Sequence, residues 1–348
     1  MVSRGTGKAM GHDRIVIGAS AGGIPLLKQI VASLPEKLGA AVFIVVHTTP
    51  HLPSKLAVML DAAGPLRASF PEDGEPILPD RIYVAPPDNH MLVRRGRINV
   101  VRGPKENFTR PAIDPTFRSA AISYGPRVIG VVLSGALDDG TAGLVGIKAR
   151  GGIVIVQDPN DAEQPSMPLS ALEHVSVDHC VGGAEIGPLL VSVARQPAAA
   201  EDKHPIPDWL DAESQIAEAA TMQSLRKLDD VGVPSRLSCP ECGGVMYETK
   251  VDDLLRFRCR VGHAYSSKSL LADQTAGLEA SLWAGVRALE ESALLMERLS
   301  ERVTRRSGEA AAAGLRPVIE ARKRQADDMR RFIKTALSES SSSAEQGL

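Results

Sequence analysis

The chain has 348 residues, more than a single hydrophobic core usually covers, so two or three structural units are expected. Its 40 Lys and Arg nearly balance its 42 Asp and Glu, which excludes the strong net charge that draws proteins to nucleic acid or to an anionic membrane. The sequence has neither a bilayer-length apolar run nor the apolar stretch of a secretory signal, so a cytoplasmic location is expected.

Residues 13–195 alternate short β-branched runs with helical patterns, after an amino terminus (1–12) that is expected to be disordered. The runs are RIVIG, AVFIVVH, RVIGVVLSG, GIVIVQ and VDHCV, and an apolar-periodic segment at about 26–34 follows the first. Continuous apolar strands are covered on both faces, which predicts an α/β fold with a doubly wound, mostly parallel sheet and helices on both faces. The insertion DRIYVAPPDNHMLVRRGRINVV predicts short antiparallel strands instead.

The composition changes after Arg195. Residues 196–234 are rich in Ala, Pro and charge and predict a linker with a short helix at about 213–229. A cysteine-bearing module follows at 235–267, and residues 268–338, with a break near Gly308, predict an antiparallel helical hairpin. The serine-rich residues 339–348 predict a disordered tail. The expected apolar stripe of the hairpin contains Leu271, Leu278, Leu282, Val286, Leu289 and Leu299.

The segment GASAG at 18–22 fits the GxSxG pattern, at the strand-to-helix turn that this motif requires. Its small residues would let a carbonyl approach Ser20, and the amides of Ala21 and Gly22 would face a developing oxyanion. A dinucleotide-binding turn would need glycine where the chain has Ser20 and an acidic residue where it has His47. A serine that only caps the helix is a further alternative.

His47 ends the second predicted strand, where neighbouring parallel strands share one crevice. A serine hydroxyl is a poor nucleophile unless an imidazole accepts its proton, and a carboxylate best fixes that imidazole. Asp138 and Asp139 follow the strand RVIGVVLSG, and both are candidates, although an aspartate before glycine also suits an ordinary turn. The order Ser, His, Asp differs from that of ordinary α/β-hydrolases, so another hydrolase family is expected.

Six motifs in this order resemble the catalytic domain of the chemotaxis protein-glutamate methylesterase family, CheB, over residues 13–195. They are IGASAGG, VVH, IYVAPPDNHM, RPAIDPTFRSAA, LSGALDDGTAG and PSMPLSAL. The resemblance implies that Ser20 is the nucleophile, His47 the general base and then acid, and Asp139 the orienting carboxylate. It further implies that Met167 borders the pocket, that catalysis needs no cofactor, and that the substrate is a methylated glutamate, or a glutamine to be deamidated, on a cytoplasmic chemoreceptor or receptor-like protein.

The chain departs from the family pattern beside the expected oxyanion. Family members commonly have threonine where this chain has Ala21, and Gly-Met-Gly where it has GAL at 135–137. We expect Ala21, Gly22 and Ala136 to line the oxyanion region, and the departures at Ala21 and Ala136 to affect substrate preference and rate. The loop TTPHL after His47 also departs from the family, which usually has a methionine there.

Arg110 and Arg118 lie in the segment RPAIDPTFRSAA and are candidates for holding an acidic partner surface at the cleft, with a structural ion pair or solvent exposure as the alternative. Many family members also carry an amino-terminal receiver domain that phosphorylation displaces from the active site. Because the first catalytic strand begins near residue 13, no receiver domain is expected, and activity is predicted to be constitutive or controlled by a partner.

The segments CPECGG and CRVGH bring together two pairs of metal-ligating residues. Cys239 and Cys242 form one pair, and Cys259 and His263 form the other, which is typical of a small structural zinc site. A redox CxxC would leave the second pair unexplained. Basic residues in this module are mixed with acidic ones, so a partner-docking or regulatory role is favoured over nucleic-acid binding.

The sequence thus predicts a receptor methylesterase with a structural zinc ion in its carboxyl-terminal part. A non-enzymatic signalling adaptor that keeps the fold is the first alternative. The second is a hydrolase of another protein ester or amide, which the departures at Ala21 and Ala136 leave open.

Overall fold

A computed structural model describes residues 11–48, 54–218, 228–229 and 232–344. The described chain divides after Leu270 into two compact units. The first contains the predicted catalytic domain together with the cysteine-bearing module, and the second contains the helical hairpin.

The first unit is built on a seven-stranded parallel sheet, which confirms the predicted fold class. The strands of residues 11–195 are β1 (Arg14–Ala19), β2 (Ala41–Val46), β3 (Arg67–Ser69), β4 (Arg81–Val84), β5 (His90–Arg94), β6 (Arg97–Val101), β7 (Val128–Val132), β8 (Ile153–Gln157) and β9 (His179–Val181). The sheet order is β3-β4-β2-β1-β7-β8-β9, and β5 and β6 form a separate antiparallel hairpin. The connections run outward on both sides of β1 and β7, which places the switch point of the sheet between these two strands.

Helices cover both faces of this sheet. They are α1 (Gly23–Ser33), α2 (Leu56–Asp61), α3 (Ile113–Tyr124), α4 (Thr141–Ala149), α5 (Ser166–His174) and α6 (Gly183–Ala194). Apolar residues of α1, α2 and α6 pack in one core, and those of α3, α4 and α5 pack in the other. Alternate residues of β1 contribute to the two cores, as Ile15 and Val16 do, because successive side chains of a strand point to opposite faces.

The insertion after residue 79 differs in part from its prediction. Residues His90–Val101 form the expected antiparallel pair, but β4 joins the main sheet parallel to β2. Ile82, Tyr83 and Val84 are fully buried, so this run has the continuous apolar character of a parallel strand rather than that of a one-sided hairpin.

The predicted linker also differs. Its helix α7 spans Asp208–Glu218 and not 213–229, most of which lies outside the described residues. Leu210 is fully buried in the core that contains α3 and α4, and Glu213 is 3% exposed. The apolar side of this short helix therefore packs on the catalytic domain. The prediction of a linker, which was based on Ala, Pro and charge content, did not include this packing.

The cysteine-bearing module is a four-stranded antiparallel sheet, here called the ribbon. Its strands are β10 (Gly232–Ser238), β11 (Val245–Val251), β12 (Leu254–Cys259) and β13 (Ala264–Ser266). Phe257, Tyr265 and Met246 form its small core with two of the cysteines, Cys239 and Cys259. Helix α8 (Ser267–Ser307) begins directly after β13.

The second unit consists of the rest of α8, a short helix α9 (Glu309–Ala312) and α10 (Arg316–Ala344). Gly308 separates the first two with a φ of 85°, which confirms the predicted break. Only the middle of the predicted stripe is covered: Leu282, Val286 and Leu289 pack against α10, whereas Leu271, Leu278 and Leu299 are exposed. Helix α10 also continues into the segment predicted to be a disordered tail. Within the described chain, no helix combines the length and the apolar character needed to cross a membrane.

Candidate active site

Three adjacent central strands bring the predicted catalytic residues to one edge of the sheet. In the parallel pair of β1 and β2, Ala19 lies opposite Val46, so the next residues, Ser20 and His47, leave the sheet side by side. Strand β7 pairs with the other side of β1, and its following loop carries Asp139. The crevice at the carboxyl ends of these strands is therefore the site.

The three side chains form a continuous hydrogen-bonded array. Nδ1 of His47 lies 3.0 Å from Oγ of Ser20, and Nε2 of His47 lies 2.7 Å from Oδ2 of Asp139. Because an ionised carboxylate only accepts hydrogen bonds, Nε2 carries the proton and Nδ1 is the free base that accepts the Ser20 hydroxyl. The His47 side chain is 17% exposed and that of Asp139 is 3% exposed, so substrate reaches the imidazole while the carboxylate stays dry.

The carboxylate of Asp139 is held by backbone and side-chain donors. Oδ2 accepts the amide of Ile113 at 2.7 Å, and Oδ1 accepts Nδ2 of Asn107 and the amide of Gly140, each at 2.9 Å. Burial alone would raise the pKa of Asp139, but the hydrogen bond and charge of His47, with these amides, outweigh burial and lower it. Asp139 therefore remains ionised and keeps the imidazole in the tautomer that activates Ser20.

Asp138, the other candidate, points elsewhere. Its Oδ1 accepts the hydroxyl of Ser266 at 2.7 Å. Burial raises the pKa of Asp138, against the lowering effect of this hydrogen bond. Of the two adjacent aspartates, only Asp139 contacts His47.

The turns around Ser20 are tightly built. Gly22 has a φ of 75°, and a side chain there would meet Cβ of Glu163 at 2.6 Å. A Cβ on Gly135 would lie 2.0 Å from Sδ of Met167 and 2.8 Å from Cβ of Ser20. Glycine is therefore required at both positions for space, and at Gly22 for backbone conformation as well.

Three residues were expected to line the oxyanion region, and Met167 was expected to border the pocket. Ala21 and Ala136 are exposed on the two turns beside Ser20. Gly22 is partly exposed. Met167 is fully buried and supports the site from below through Gly135, whose carbonyl accepts the Met167 amide at 2.9 Å. Residues 49–52 of the segment TTPHL lie outside the described residues.

The two arginines take structural positions. Arg118 is 1% exposed, and its Nη2 donates to both carboxylate oxygens of Glu106 at 2.7 and 2.8 Å. Arg110 donates to Asp88 at 2.7 Å and to the carbonyl of Gly103 at 2.5 Å. The expectation that Arg118 holds an acidic partner surface is wrong, because its guanidinium is buried in an ion pair. Arg110 is likewise committed to Asp88.

Sequence reasoning missed the residues behind the triad. Asn107 and Asp114 are 3% and 0% exposed, and both contact the loop that carries Asp139. Oδ1 of Asp114 accepts the amides of Gly140 and Gly143 at 3.1 and 2.8 Å. Asp114 lies inside a recognised motif. Asn107 lies in an irregular loop with a φ of 48°, and the local sequence pattern does not indicate its contact with Asp139.

The four predicted metal ligands come together in the ribbon. The ligand atoms of Cys239, Cys242, Cys259 and His263 all lie within 4.8 Å of one another. The Sγ atoms of Cys242 and Cys259 are 3.6 Å apart, and Nδ1 of His263 is 3.5 Å from Sγ of Cys259 and 3.7 Å from Sγ of Cys239. A tetrahedral zinc ion places its sulfur ligands about 3.8 Å apart and a sulfur about 3.6 Å from a nitrogen. The donor set and its spacing therefore fit zinc.

Comparison with known proteins concerns the first half of the chain. The sequence profile described as CheB methylesterase matches residues 15–190. A provisionally named protein-glutamate methylesterase/protein-glutamine glutaminase of Leptospira interrogans is 38% identical over 183 residues, which cover 52% of this chain and 95% of that protein.

Two further proteins match a similar share of the chain. A protein-glutamate methylesterase/protein-glutamine glutaminase 2 of Caulobacter vibrioides is 36% identical over 191 residues, 53% of this chain and 55% of that protein. The crystal structure of the Thermotoga maritima CheB methylesterase catalytic domain matches with a TM-score of 0.50 and 33% identity, covering 52% of this chain and 97% of that structure. The ribbon and the helical hairpin lie outside the family match at 15–190.

Proposed function

The chain belongs to the CheB methylesterase family, and from this premise we propose that it hydrolyses the methyl ester of glutamate side chains on a receptor-type protein. The observation that carries the proposal is the array of Ser20, His47 and Asp139 at 3.0 and 2.7 Å. A serine hydrolase needs this combination of nucleophile, base and orienting carboxylate.

The reaction follows from these contacts. Oγ of Ser20 attacks the ester carbonyl while Nδ1 of His47 takes the hydroxyl proton, and Asp139 stabilises the imidazolium. The tetrahedral oxyanion collapses to a glutamyl ester of Ser20, and His47 returns the proton to the departing methoxide, which leaves as methanol. His47 then activates water, whose attack frees the glutamate carboxylate and restores Ser20.

The same array supports deamidation of glutamine, which is the second activity in the names of the relatives. The acyl intermediate is identical, and only the leaving group changes from methanol to ammonia. We propose that Ala21 and Ala136, which are exposed beside Ser20, affect the choice between these substrates.

The rival functions differ in what they require of Ser20. A signalling adaptor would need the fold but would have no use for an activated serine, whereas the His47 contact directly supports an enzyme. A hydrolase of another protein ester would need the same triad, so only the substrate separates it from the proposed activity.

The proposal is tested by methanol release from membranes that carry methylated chemoreceptors of the same cell. The wild-type protein is expected to release methanol, Ser20→Ala is expected to release none, and the exposed Ser281→Ala serves as the matched control with wild-type rates. Equal release by Ser20→Ala and the wild type would reject the proposed nucleophile. No release by any variant would reject the receptor ester as substrate.

We also propose that Cys239, Cys242, Cys259 and His263 bind one structural zinc ion. Two turns shape the site: the Gly243 amide donates to the Cys239 carbonyl at 2.8 Å, and the Gly262 amide donates to the Cys259 carbonyl at 2.9 Å. Four protein ligands leave zinc no position for a catalytic water, so the ion would stabilise the ribbon and take no part in ester hydrolysis.

Metal analysis of the purified protein tests this site. About one zinc per chain is expected, together with a lower content and a lower unfolding temperature in Cys242→Ser. A wild-type protein that contains no zinc and takes up none on addition of the ion would contradict the proposal.

A further inference from the structure

The ribbon meets the catalytic domain through the loop that carries Asn107. The amide of Asn107 donates to the Ala264 carbonyl at 2.7 Å, and the amide of Ala264 donates to the Lys105 carbonyl at 3.2 Å. The loop thus pairs with β13, and the next residue, Phe108, packs against the ribbon core.

The side chain of Asn107 connects the ribbon to the catalytic carboxylate. Its Oδ1 accepts the backbone amide of Ser266 at 3.1 Å and the hydroxyl of Ser269 at 3.0 Å. Its Nδ2 donates to Asp139 at 2.9 Å. The reversed amide would place its donors against the Ser266 amide, which only donates, and its oxygen against a carboxylate oxygen. The Ser266 amide therefore favours the orientation in which Asn107 presents its donor to Asp139, and the Ser269 hydroxyl adds a second hydrogen bond to that orientation.

Ser266 and Ser269 are themselves fixed by the start of α8. The amide of Ser269 donates to Oγ of Ser266 at 3.0 Å, and the amide of Ser266 donates to Oγ of Ser269 at 2.9 Å. This reciprocal pairing has the geometry of a capping box, which holds both hydroxyls at the beginning of the helix. Both residues are buried, and the orientation of Asn107 is therefore set by a rigid element.

A second contact supports the same loop. Nη1 of Arg256, on β12, donates to Oδ2 of Asp114 at 2.8 Å, and Oδ1 of Asp114 holds the amide of Gly140, the residue after Asp139. Arg258 of the same strand pairs with Glu106 at 3.1 Å. The charges of the buried cluster balance, since its members are Arg118, Arg256, Arg258, Glu106, Asp114 and Glu213.

We propose that the ribbon positions the catalytic carboxylate: Ser269 and Ser266 orient Asn107, which holds Asp139, while Arg256 acts on the same loop through Asp114. The proposal rests on the proposed esterase function for its assay, but it assigns new roles to Asn107 and to Ser266, Ser269 and Arg256, the last three of which lie outside the family match. Asn107, Ser269 and Arg256 are positioning residues and contact neither the nucleophile nor the imidazole in the described structure.

The catalytic domain and the ribbon therefore have different roles in the active site. The catalytic domain provides the reacting groups and Asn107, which holds Asp139, and the ribbon with the start of α8 provides the donors that orient Asn107. An oriented carboxylate is needed to hold the tautomer of His47, so loosening Asn107 should slow the chemical step and leave substrate binding unchanged.

The test is a double-mutant cycle of Asn107→Ala and Ser269→Ala in the full chain, with Ser267→Ala as the matched control. Ser267 is exposed and adjacent to the capping residues, and its hydroxyl donates to the Leu255 carbonyl at 3.3 Å. The measured quantities are kcat and KM for p-nitrophenyl acetate, a small activated ester that needs no receptor, and the unfolding temperature. A further readout is the proton resonance of the His47–Asp139 hydrogen bond.

We expect kcat to fall about 10-fold in Ser269→Ala, the effect of one oriented hydrogen bond, and by more in Asn107→Ala, with KM unchanged in both. Ser269→Ala should have no further effect on kcat when Asn107 is already alanine, because it acts through that residue. The His47 proton resonance should shift in both variants and stay in place in Ser267→Ala.

The proposal is overturned if kcat and the resonance in folded Ser269→Ala match those of Ser267→Ala. It is also overturned if the two changes affect kcat additively, since independent effects would show that Ser269 does not act through Asn107. Should Asn107→Ala fail to fold, Asn107→Leu, an apolar side chain of similar size that makes neither hydrogen bond, replaces it in the cycle. Failure of receptor hydrolysis alone would reject the proposed substrate and leave these outcomes intact.

Discussion

A methyl group added at Gly135 is expected to disable the site by displacing its nucleophile. The Cβ of Gly135→Ala would lie 2.0 Å from Sδ of Met167 and 2.8 Å from Cβ of Ser20. Since carbon atoms pack at roughly 3.5 Å or more, Ser20 would have to retreat by about 0.7 Å and Met167 by about 1.5 Å. Met167 is fully buried, so the surrounding core would have to absorb its displacement.

The magnitudes follow from these displacements. Overpacking of a dense core costs about 1–3 kcal/mol in the free energy of unfolding. A shift of about 1 Å between reacting groups lowers the rate by on the order of 100-fold. We therefore expect Gly135→Ala to remain folded at 25 °C with a lower denaturation midpoint and about 1% of the wild-type rate of methanol release.

The assay pairs urea unfolding with methanol release, and the control is Gly277→Ala on α8, where an added Cβ meets nothing within 4 Å. The control should keep wild-type activity and gain up to about 1 kcal/mol in stability from the better helix former. A Gly135→Ala protein with wild-type activity would refute the argument that Ser20 has no room to move.

Three other predictions concern charge and metal. Asp139→Asn should lower kcat by on the order of 10⁴-fold, measured by methanol release, because its amide would face donors that now bind a carboxylate and could not hold the His47 tautomer. Burial would raise the pKa of Glu106, but Arg118, Arg258 and Arg256 together hold it below its ordinary value. Its contribution to stability is therefore complete above about pH 4.5, the ordinary pKa of glutamate, and is lost as the pH falls towards the lower folded pKa.

Glu106→Gln should accordingly lower the free energy of unfolding, measured with urea at pH 7, by about 3–5 kcal/mol. The unfolding free energy of the variant should also depend less on pH in the acid range. A variant as stable as the wild type would contradict this prediction. Removal of zinc with a chelator should lower the unfolding temperature and also slow p-nitrophenyl acetate hydrolysis, because the ribbon that holds Asn107 would loosen. Unchanged hydrolysis after complete zinc loss would show that the metal has no effect on catalysis through the ribbon.

The sequence was most informative where chemistry and backbone pattern coincide. Ser20, His47 and Asp139 each follow a continuous apolar strand, and parallel strands end at one edge of a sheet, so their meeting could be predicted. The metal-ligand pairs of the ribbon could also be predicted from their spacing, because one short turn brings each pair of ligands together. In both cases local sequence determines where the side chain starts.

The sequence was least informative about contacts between distant segments. Arg118 occurs in a family motif, which left a position at the cleft and a structural ion pair both open, and its partners Glu106 and Glu213 come from a loop and from the predicted linker. The orientation of Asn107 depends on Ser266 and Ser269, more than 150 residues later in the chain. No local periodicity or motif encodes such a pairing, since it arises only when the ribbon packs on the catalytic domain.

The most direct test of the catalytic account is to identify the acyl intermediate. A glutamate methyl ester substrate is mixed with the protein, the reaction is quenched in acid within the first turnover, and the peptide that contains Ser20 is analysed by mass spectrometry. The account predicts a glutamyl adduct on Ser20 that forms in the wild type and is absent from Ser20→Ala. An adduct on a different residue, or full methanol release by Ser20→Ala, would contradict it.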